Sequence, residues 1–162
     1  MKTVAYIGNF EPEWSTENDV RKAFESIGWN VIRLQENDPL VLQKIYKLLH
    51  GGAGFDLLLV TSTWDEAIDM RALLNVLKDC ADRGIPTATY HLDVFWGSDR
   101  GDRQWWLNPM FRVGYVFTAS NDWQQQWRNM GVNHTWLRPA VRHDAVHFGT
   151  FRPEFECDVA FV

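Results

Sequence analysis

His91 and Asp93 stand two positions apart where a run of small and β-branched residues, Pro86-Thr87-Ala88-Thr89-Tyr90, gives way to polar sequence. An imidazole and a carboxylate at such a place can take a proton from a hydroxyl, return it, or orient a polar ligand. Ligands of open α/β sheets bind outside the carboxyl ends of the strands, so titratable groups there carry functional weight. A structural role is the alternative for both, with His91 capping a neighbouring helix or hydrogen-bonding backbone. Trp96, Trp105 and Trp106 flank the polar stretch from Gly97 to Gln104, where an exposed ring can stack on a sugar or base, or pack at an interface. Trp64 follows another apolar run and joins this group if exposed, or packs at a helix start if not.

Several other chemistries lack their parts. A dinucleotide site needs closely spaced glycines after the first strand so that the backbone can approach a pyrophosphate. The sequence there, Gly8-Asn9-Phe10-Glu11-Pro12-Glu13, supplies one glycine and two carboxylates that would repel it. No Walker loop is present. A phosphoacceptor receiver needs an acidic residue at the end of strand three and an acidic pair after strand one, but Thr61-Ser62 and Gly8-Asn9 hold those positions. His143 and His147 share a helical spacing beside Asp144, yet no third ligand stands at a recognisable distance, and no metal site is assigned. Cys80 and Cys157 have no paired neighbour and read as buried, reduced thiols.

The elements that must position these residues follow from periodicity and punctuation. Val4–Ile7 reads as a compact strand. Thr16-Glu17-Asn18-Asp19 fits a capping box opening a helix whose face is Val20, Ala23, Phe24 and Ile27, with Gly28 at its end. Strand two is Trp29–Leu34, alternating and so covered less completely. Asp38-Pro39 opens a helix running to His50, and Phe55–Thr61 is strand three. Thr63-Trp64-Asp65-Glu66 fits a second capping box, for a helix with Leu73, Leu74, Leu77, Cys80 and Ala81 as its apolar stripe, closed by Gly84. Strand five is Val113–Thr118, a short helix turns Trp123, Trp127 and Met130 inward, and strand six is His134–Leu137. Cys157–Val162 is a further strand-like run.

Strand starts near residues 4, 30, 56, 86, 113 and 133, with helix-length sequence between them, predict an α/β fold: a doubly wound, mostly parallel Rossmann-like sheet of about six strands with helices on both faces. Its lateral order is open. In the order 3-2-1-4-5-6, strands one and four meet at the switch point, and Gly8-Asn9 lines one crevice with His91-Leu92-Asp93. In the order 2-1-3-4-5, Ser62, Thr63 and Trp64 take the place of the latter.

With 162 residues the chain suits one domain with a remnant of another, and a net charge of −5 makes a nucleic-acid partner unlikely. The N-terminus enters strand-like sequence without a basic-then-apolar leader, and no apolar run reaches membrane-spanning length, so a cytoplasmic protein is expected.

Four stretches, Ser15-Thr16-Glu17-Asn18-Asp19-Val20, Tyr90-His91-Leu92-Asp93, Trp136-Leu137-Arg138-Pro139-Ala140-Val141 and Cys157-Asp158-Val159-Ala160-Phe161-Val162, resemble the N-terminal half of a GT-B glycosyltransferase. The resemblance is to the group that includes CgeB-like spore-maturation proteins and related phage and bacterial enzymes. It implies two Rossmann-like domains across a cleft: an acceptor-side domain over residues 1–140, a linker or excursion over 141–156, and the first strand of a donor-binding domain over 157–162. It further implies a nucleotide sugar held in the missing second domain, a small-molecule or glycan acceptor on this one, and no cofactor or metal bound here. Gly8, Asn9, Glu17, Trp64, Trp96 and Trp105 would contact the acceptor, with His91, then Asp93, as general base if the reaction inverts. In a retaining reaction those two would orient substrates. The half chain alone would be inactive. The alternatives are a non-catalytic Rossmann-like ligand-binding module and an interaction domain that dimerises through the edge of the last strand.

Overall fold

The computed structural model describes residues 1–52, 54–61, 68–91, 111–119, 121 and 124–138. They form strands β1 (Thr3–Gly8), β2 (Asn30–Gln35), β3 (Leu57–Val60), β4 (Thr87–His91), β5 (Tyr115–Thr118) and β6 (His134–Trp136). The helices are α1 (Thr16–Ser26), α2 (Val41–His50), α3 (Met70–Asp82) and α4 (Gln124–Asn129). Every neighbouring strand pair is parallel, in the order β2-β1-β3-β4-β5-β6. This is the doubly wound α/β sheet that the spacing predicts. The proposed boundaries at 141–156 and 157–162 lie outside the described residues, as does Cys157.

Strand alternation divides the core into two layers. Val4 and Tyr6 of β1, Leu59 of β3, and Ala88 and Tyr90 of β4 face one side, where Val20 and Phe24 of α1 pack on them. Ala5, Ile7, Leu58 and Val60 face the other, against Val41, Ile45 and Leu49 of α2 and Leu73, Val76, Leu77 and Cys80 of α3. Phe111, Val116 and Trp127 form a smaller cluster where α4 meets β5. Full burial of such side chains contributes about 1.5–3 kcal/mol each, which makes these interlocked layers the main stabilising term.

The helix ends differ from their expected positions for local reasons. Ser15, not Thr16, caps α1: its Oγ accepts from the Asn18 N–H at 3.2 Å, while Thr16 is exposed. Asp38-Pro39 does not open α2. Asp38 instead closes a turn, accepting from the Leu40 N–H (2.8 Å) with its side chain and from the Val41 N–H (2.9 Å) with its carbonyl, and the helix begins at Val41. Asp69 caps α3 through bonds from the Arg71 and Ala72 N–H groups, so that helix starts after the expected Thr63–Glu66 box, which lies outside the described residues. The stripe of α3 is Leu73, Val76, Leu77 and Cys80, while Leu74 and Ala81 are exposed. Ala23, Ile27 and Met130 are also exposed, the last two because they stand just past the ends of α1 and α4. Gly28 and Gly84 follow α1 and α3 with φ of 81° and 68°, the left-handed conformation expected of them.

The cap assignment separates two neighbouring hydroxyls. Ser15→Ala should lower stability by about 1 kcal/mol in urea denaturation, whereas Thr16→Ala should change it by no more than a few tenths.

Candidate functional site

The order β2-β1-β3 makes the chain leave β1 in opposite lateral directions, so the switch point lies between β1 and β3. Of the two orders left open, 2-1-3-4-5 is the one found, with β6 added at the edge: β3 lies between β1 and β4, and Gly8-Asn9 does not share a crevice with His91. Strand spacing is the same for either order, and only side-chain packing between layers selects one.

At the carboxyl end of β1, Gly8 is buried against α1. A Cβ built on it would lie 2.6 Å from Glu17 Cγ and 3.4 Å from Tyr6 Cε2, so only glycine lets the helix start approach this closely. Asn9 Oδ1 accepts from Gln35 Nε2 at 3.1 Å, and Gln35 Oε1 accepts from the Phe10 N–H at 2.8 Å, tying the β1–α1 loop to the end of β2. Asn18 Nδ2 donates to the Phe10 and Pro12 carbonyls at 3.1 and 2.9 Å, holding the same loop from the helix side. The loop residues are therefore held by β2 on one side and by α1 on the other.

Glu17 is only 6% exposed. Burial pushes its carboxyl pKa up, and hydrogen bonds from its own N–H, the Ser15 hydroxyl and the Asn9 N–H oppose that rise, while nearby Glu36 adds to it. Glu36, buried at the end of β2, was not singled out by sequence; a carboxylate closing a strand, the signal used for Asp93, would have found it. Thr61 Oγ1 donates to the Tyr6 hydroxyl at 2.7 Å across β1 and β3. Burial raises the Tyr6 pKa well above its ordinary value, and the charges of Glu17 and Glu36 act in the same direction. Tyr6, Glu17, Glu36 and Thr61 thus make a buried polar cluster at the switch point. No spacing in the sequence joins Tyr6 to Thr61.

His91 lies elsewhere, on the sheet face opposite Tyr6 and Tyr90. Its ring is buried 5.0 Å from that of Phe111, and its carbonyl accepts from the Ala119 N–H at 2.9 Å. Burial lowers its pKa from 6.5 to about 4, so it is neutral at pH 7. Beside it, Thr118 Oγ1 lies 2.8 Å from His134 Nε2, and His134 stacks on Trp127 with centroids 5.5 Å apart. Asp93, Trp64, Trp96, Trp105, Trp106, His143 and His147 lie outside the described residues. Among the described residues no group of three or more His, Cys, Asp or Glu side chains could hold a metal ion, and no helix is long and apolar enough to cross a membrane.

Neither a family model nor a curated protein sequence matches the chain. Solved structures with a similar backbone are diverse. A Clostridium phytofermentans ABC-transporter solute-binding protein with bound β-D-glucose aligns at 18% identity over 81% of this chain and 38% of its own, with a TM-score of 0.45. The Vibrio cholerae chemotaxis protein CheY4 aligns at 13% identity over 88% and 89%, with a TM-score of 0.46. The pyridoxal-5′-phosphate-dependent protein YhfS from Escherichia coli aligns at 20% identity over 54% and 22%, with a TM-score of 0.36. The chain spans well under half the length of the first and third of these. Likenesses of this size carry no function across, and the fold rests on the strand order itself.

Gly8 and Glu17 should behave as a coupled pair. Gly8→Ala alone is expected to cost about 1–3 kcal/mol through overpacking, and in the Glu17→Ala background that cost should largely vanish in a double-mutant cycle of denaturation free energies. The pH dependence has a defined sign for His91. Its folded pKa is depressed, so its contribution is whole above about 6.5 and is lost as pH falls from 6.5 toward 4. That loss amounts to roughly 3 kcal/mol at most. Glu17, with its folded pKa raised, acts oppositely and favours the fold as it protonates. Urea denaturation between pH 7 and 4 should therefore show a shallower acid loss for His91→Leu than for wild type.

Proposed function

We propose that this chain is the acceptor-side half of a GT-B-like glycosyltransferase and takes a polyhydroxylated acceptor at the carboxyl edge of its sheet. The observation that carries the reading is the buried polar cluster of Tyr6, Glu17, Glu36 and Thr61 at the β1/β3 switch point, with Asn9 and Gln35 beside it. Carboxylate, amide and hydroxyl groups on a rigid sheet edge are the donors and acceptors that hydroxyl-rich ligands need. The four sequence stretches that resemble the family support the same reading.

In the transfer, an acceptor oxygen bonds to the anomeric carbon of a nucleotide sugar. The bond to the diphosphate breaks with its electron pair, and the acceptor proton passes to a base in an inverting reaction. His91 is the first candidate for that base and Asp93 the second, with Trp64, Trp96 and Trp105 stacking on the acceptor. The donor belongs to a second α/β domain, so this half alone turns nothing over. The reading includes a cytoplasmic protein with no cofactor on this domain and no nucleic-acid partner.

One observation favours a second reading, a non-catalytic ligand-binding module. A base works best with a pKa near the operating pH, and burial holds His91 near 4.

The discriminating experiment compares the 162-residue chain with a form carrying a second α/β domain, assayed with nucleotide sugars and a panel of acceptors. Transfer is expected only in the longer form, and His91→Ala there should lower kcat by about 10²–10⁴. Full activity in His91→Ala would remove the base assignment. Calorimetric binding of an acceptor without turnover in either form would establish the second reading.

A further inference from the structure

The described residues of β5, α4 and β6 with their flanks, 111–119, 121 and 124–138, include Arg112, Arg128 and Arg138 and no carboxylate, Asp122 lying outside the described residues. Every ion pair among the described residues belongs to the other half of the sheet, around α1, α2 and α3. In a chain of net charge −5, the β5–β6 end is thus locally cationic. Arg138 follows β6 at its carboxyl end, the side on which ligands of parallel sheets bind. Its guanidinium carbon lies 4.5 Å from the centroid of the Trp136 ring, and the guanidinium makes no ion pair or hydrogen bond among the described residues. The ring beneath it is fixed. Trp136 Nε1 donates to the Ala119 carbonyl at 3.0 Å, and the Leu137 N–H donates to the Thr118 carbonyl at 2.9 Å. From the β4 side, the Tyr90 hydroxyl donates to the Arg138 carbonyl at 3.5 Å. A guanidinium held over an indole keeps its fork of N–H donors for an oxyanion, and has less freedom to lose on binding one.

We propose that Arg138, seated on Trp136, binds a phosphate group of the substrate at the carboxyl edge of β6. Strand register ties this position to the rest of the edge. Trp136 pairs with Thr118, and Thr118 with His91, so the three residues share one face of the sheet at one height. Two strand spacings, roughly 10 Å, separate the Trp136 and His91 positions. A sugar unit fits between a phosphate on Arg138 and the imidazole. For the identity of the substrate, the inference rests on the proposed glycosyl transfer, in which the phosphate belongs either to the diphosphate of the donor or to a phosphorylated acceptor. Both present the same oxyanion to a guanidinium fork.

The test titrates the 162-residue chain with inorganic pyrophosphate at constant ionic strength, following the Trp136 indole N–H signal by NMR. A saturable shift with a Kd of about 1 mM or tighter is expected. Arg138→Gln should weaken binding at least about tenfold, and Arg138→Lys, which keeps the charge without the fork, at least about threefold. Arg128→Gln removes an equal charge from α4 and should change the affinity by less than about twofold. A wild-type chain with no saturable shift up to about 20 mM, or equal losses in Arg138→Gln and Arg128→Gln, overturns the inference. Arg138 is exposed, so its variants should keep the wild-type amide spectrum. If Arg138→Gln does not fold, Arg138→Lys decides. Parallel titrations with uridine diphosphate and glucose 6-phosphate separate the sources: tighter binding of the first assigns the phosphate to the donor, and of the second to the acceptor. No transfer is measured, so a chain that binds pyrophosphate through Arg138 but never transfers sugar in its longer form would sink the glycosyltransferase reading alone.

Discussion

β1 is hydrogen-bonded along both edges, to β2 from Thr3↔Asn30 through Gly8↔Gln35 and to β3 from Val4↔Leu57 through Ile7↔Val60. Both of its faces are covered too, with Val4, Ala5, Tyr6 and Ile7 fully buried. A strand enclosed in this way leaves its neighbours little freedom, since one residue of slippage would exchange every side chain between the two layers. α1 must then cover the Tyr6 face, while α2 and α3 cover the Ile7 face. The carboxyl end of β1 emerges in the interior of the sheet, where its polar groups need partners from the protein.

The polar cluster is the consequence. Glu17 sits where desolvation disfavours charge, and hydrogen bonding from the helix backbone, Ser15 and Asn9 offsets part of that cost, while Glu36 is buried nearby. Thr61 and Tyr6 satisfy each other across two strands. His91 meets the same difficulty differently, by staying neutral beside Phe111 on the opposite face. The sheet thus carries two distinct titratable environments, one rich in carboxylates at the switch point and one aromatic under β5.

Much of this was legible in local pattern. Apolar runs marked the six strands, positive-φ glycines closed α1 and α3, and regular βαβ spacing identified the sheet as parallel. Glu17, Gly8 and Asn9 were singled out as site residues, and the structure brings those three together. The errors have physical sources. Ser15 and Thr16 are chemically equivalent caps, and what separates them is which N–H reaches which oxygen. Asp38-Pro39 has the composition of a helix start as well as of a turn, and the turn won because Asp38 bonds the next two free N–H groups. Leu74 is as apolar as Val76, but only the direction of α3 against β3 and β4 decides which is inward.

The division between the two kinds of information follows from range. Hydrophobic period, glycine placement and capping chemistry act over a few residues, so the chain alone specifies its elements, their parallel sense and the buried thiol of Cys80. Lateral strand order, the separation of His91 from Gly8 and the meeting of Tyr6 with Thr61 depend on contacts across 29 to 55 positions. Such contacts form only when whole layers pack, because loop length permits several strand orders and burial of a complete apolar face permits one.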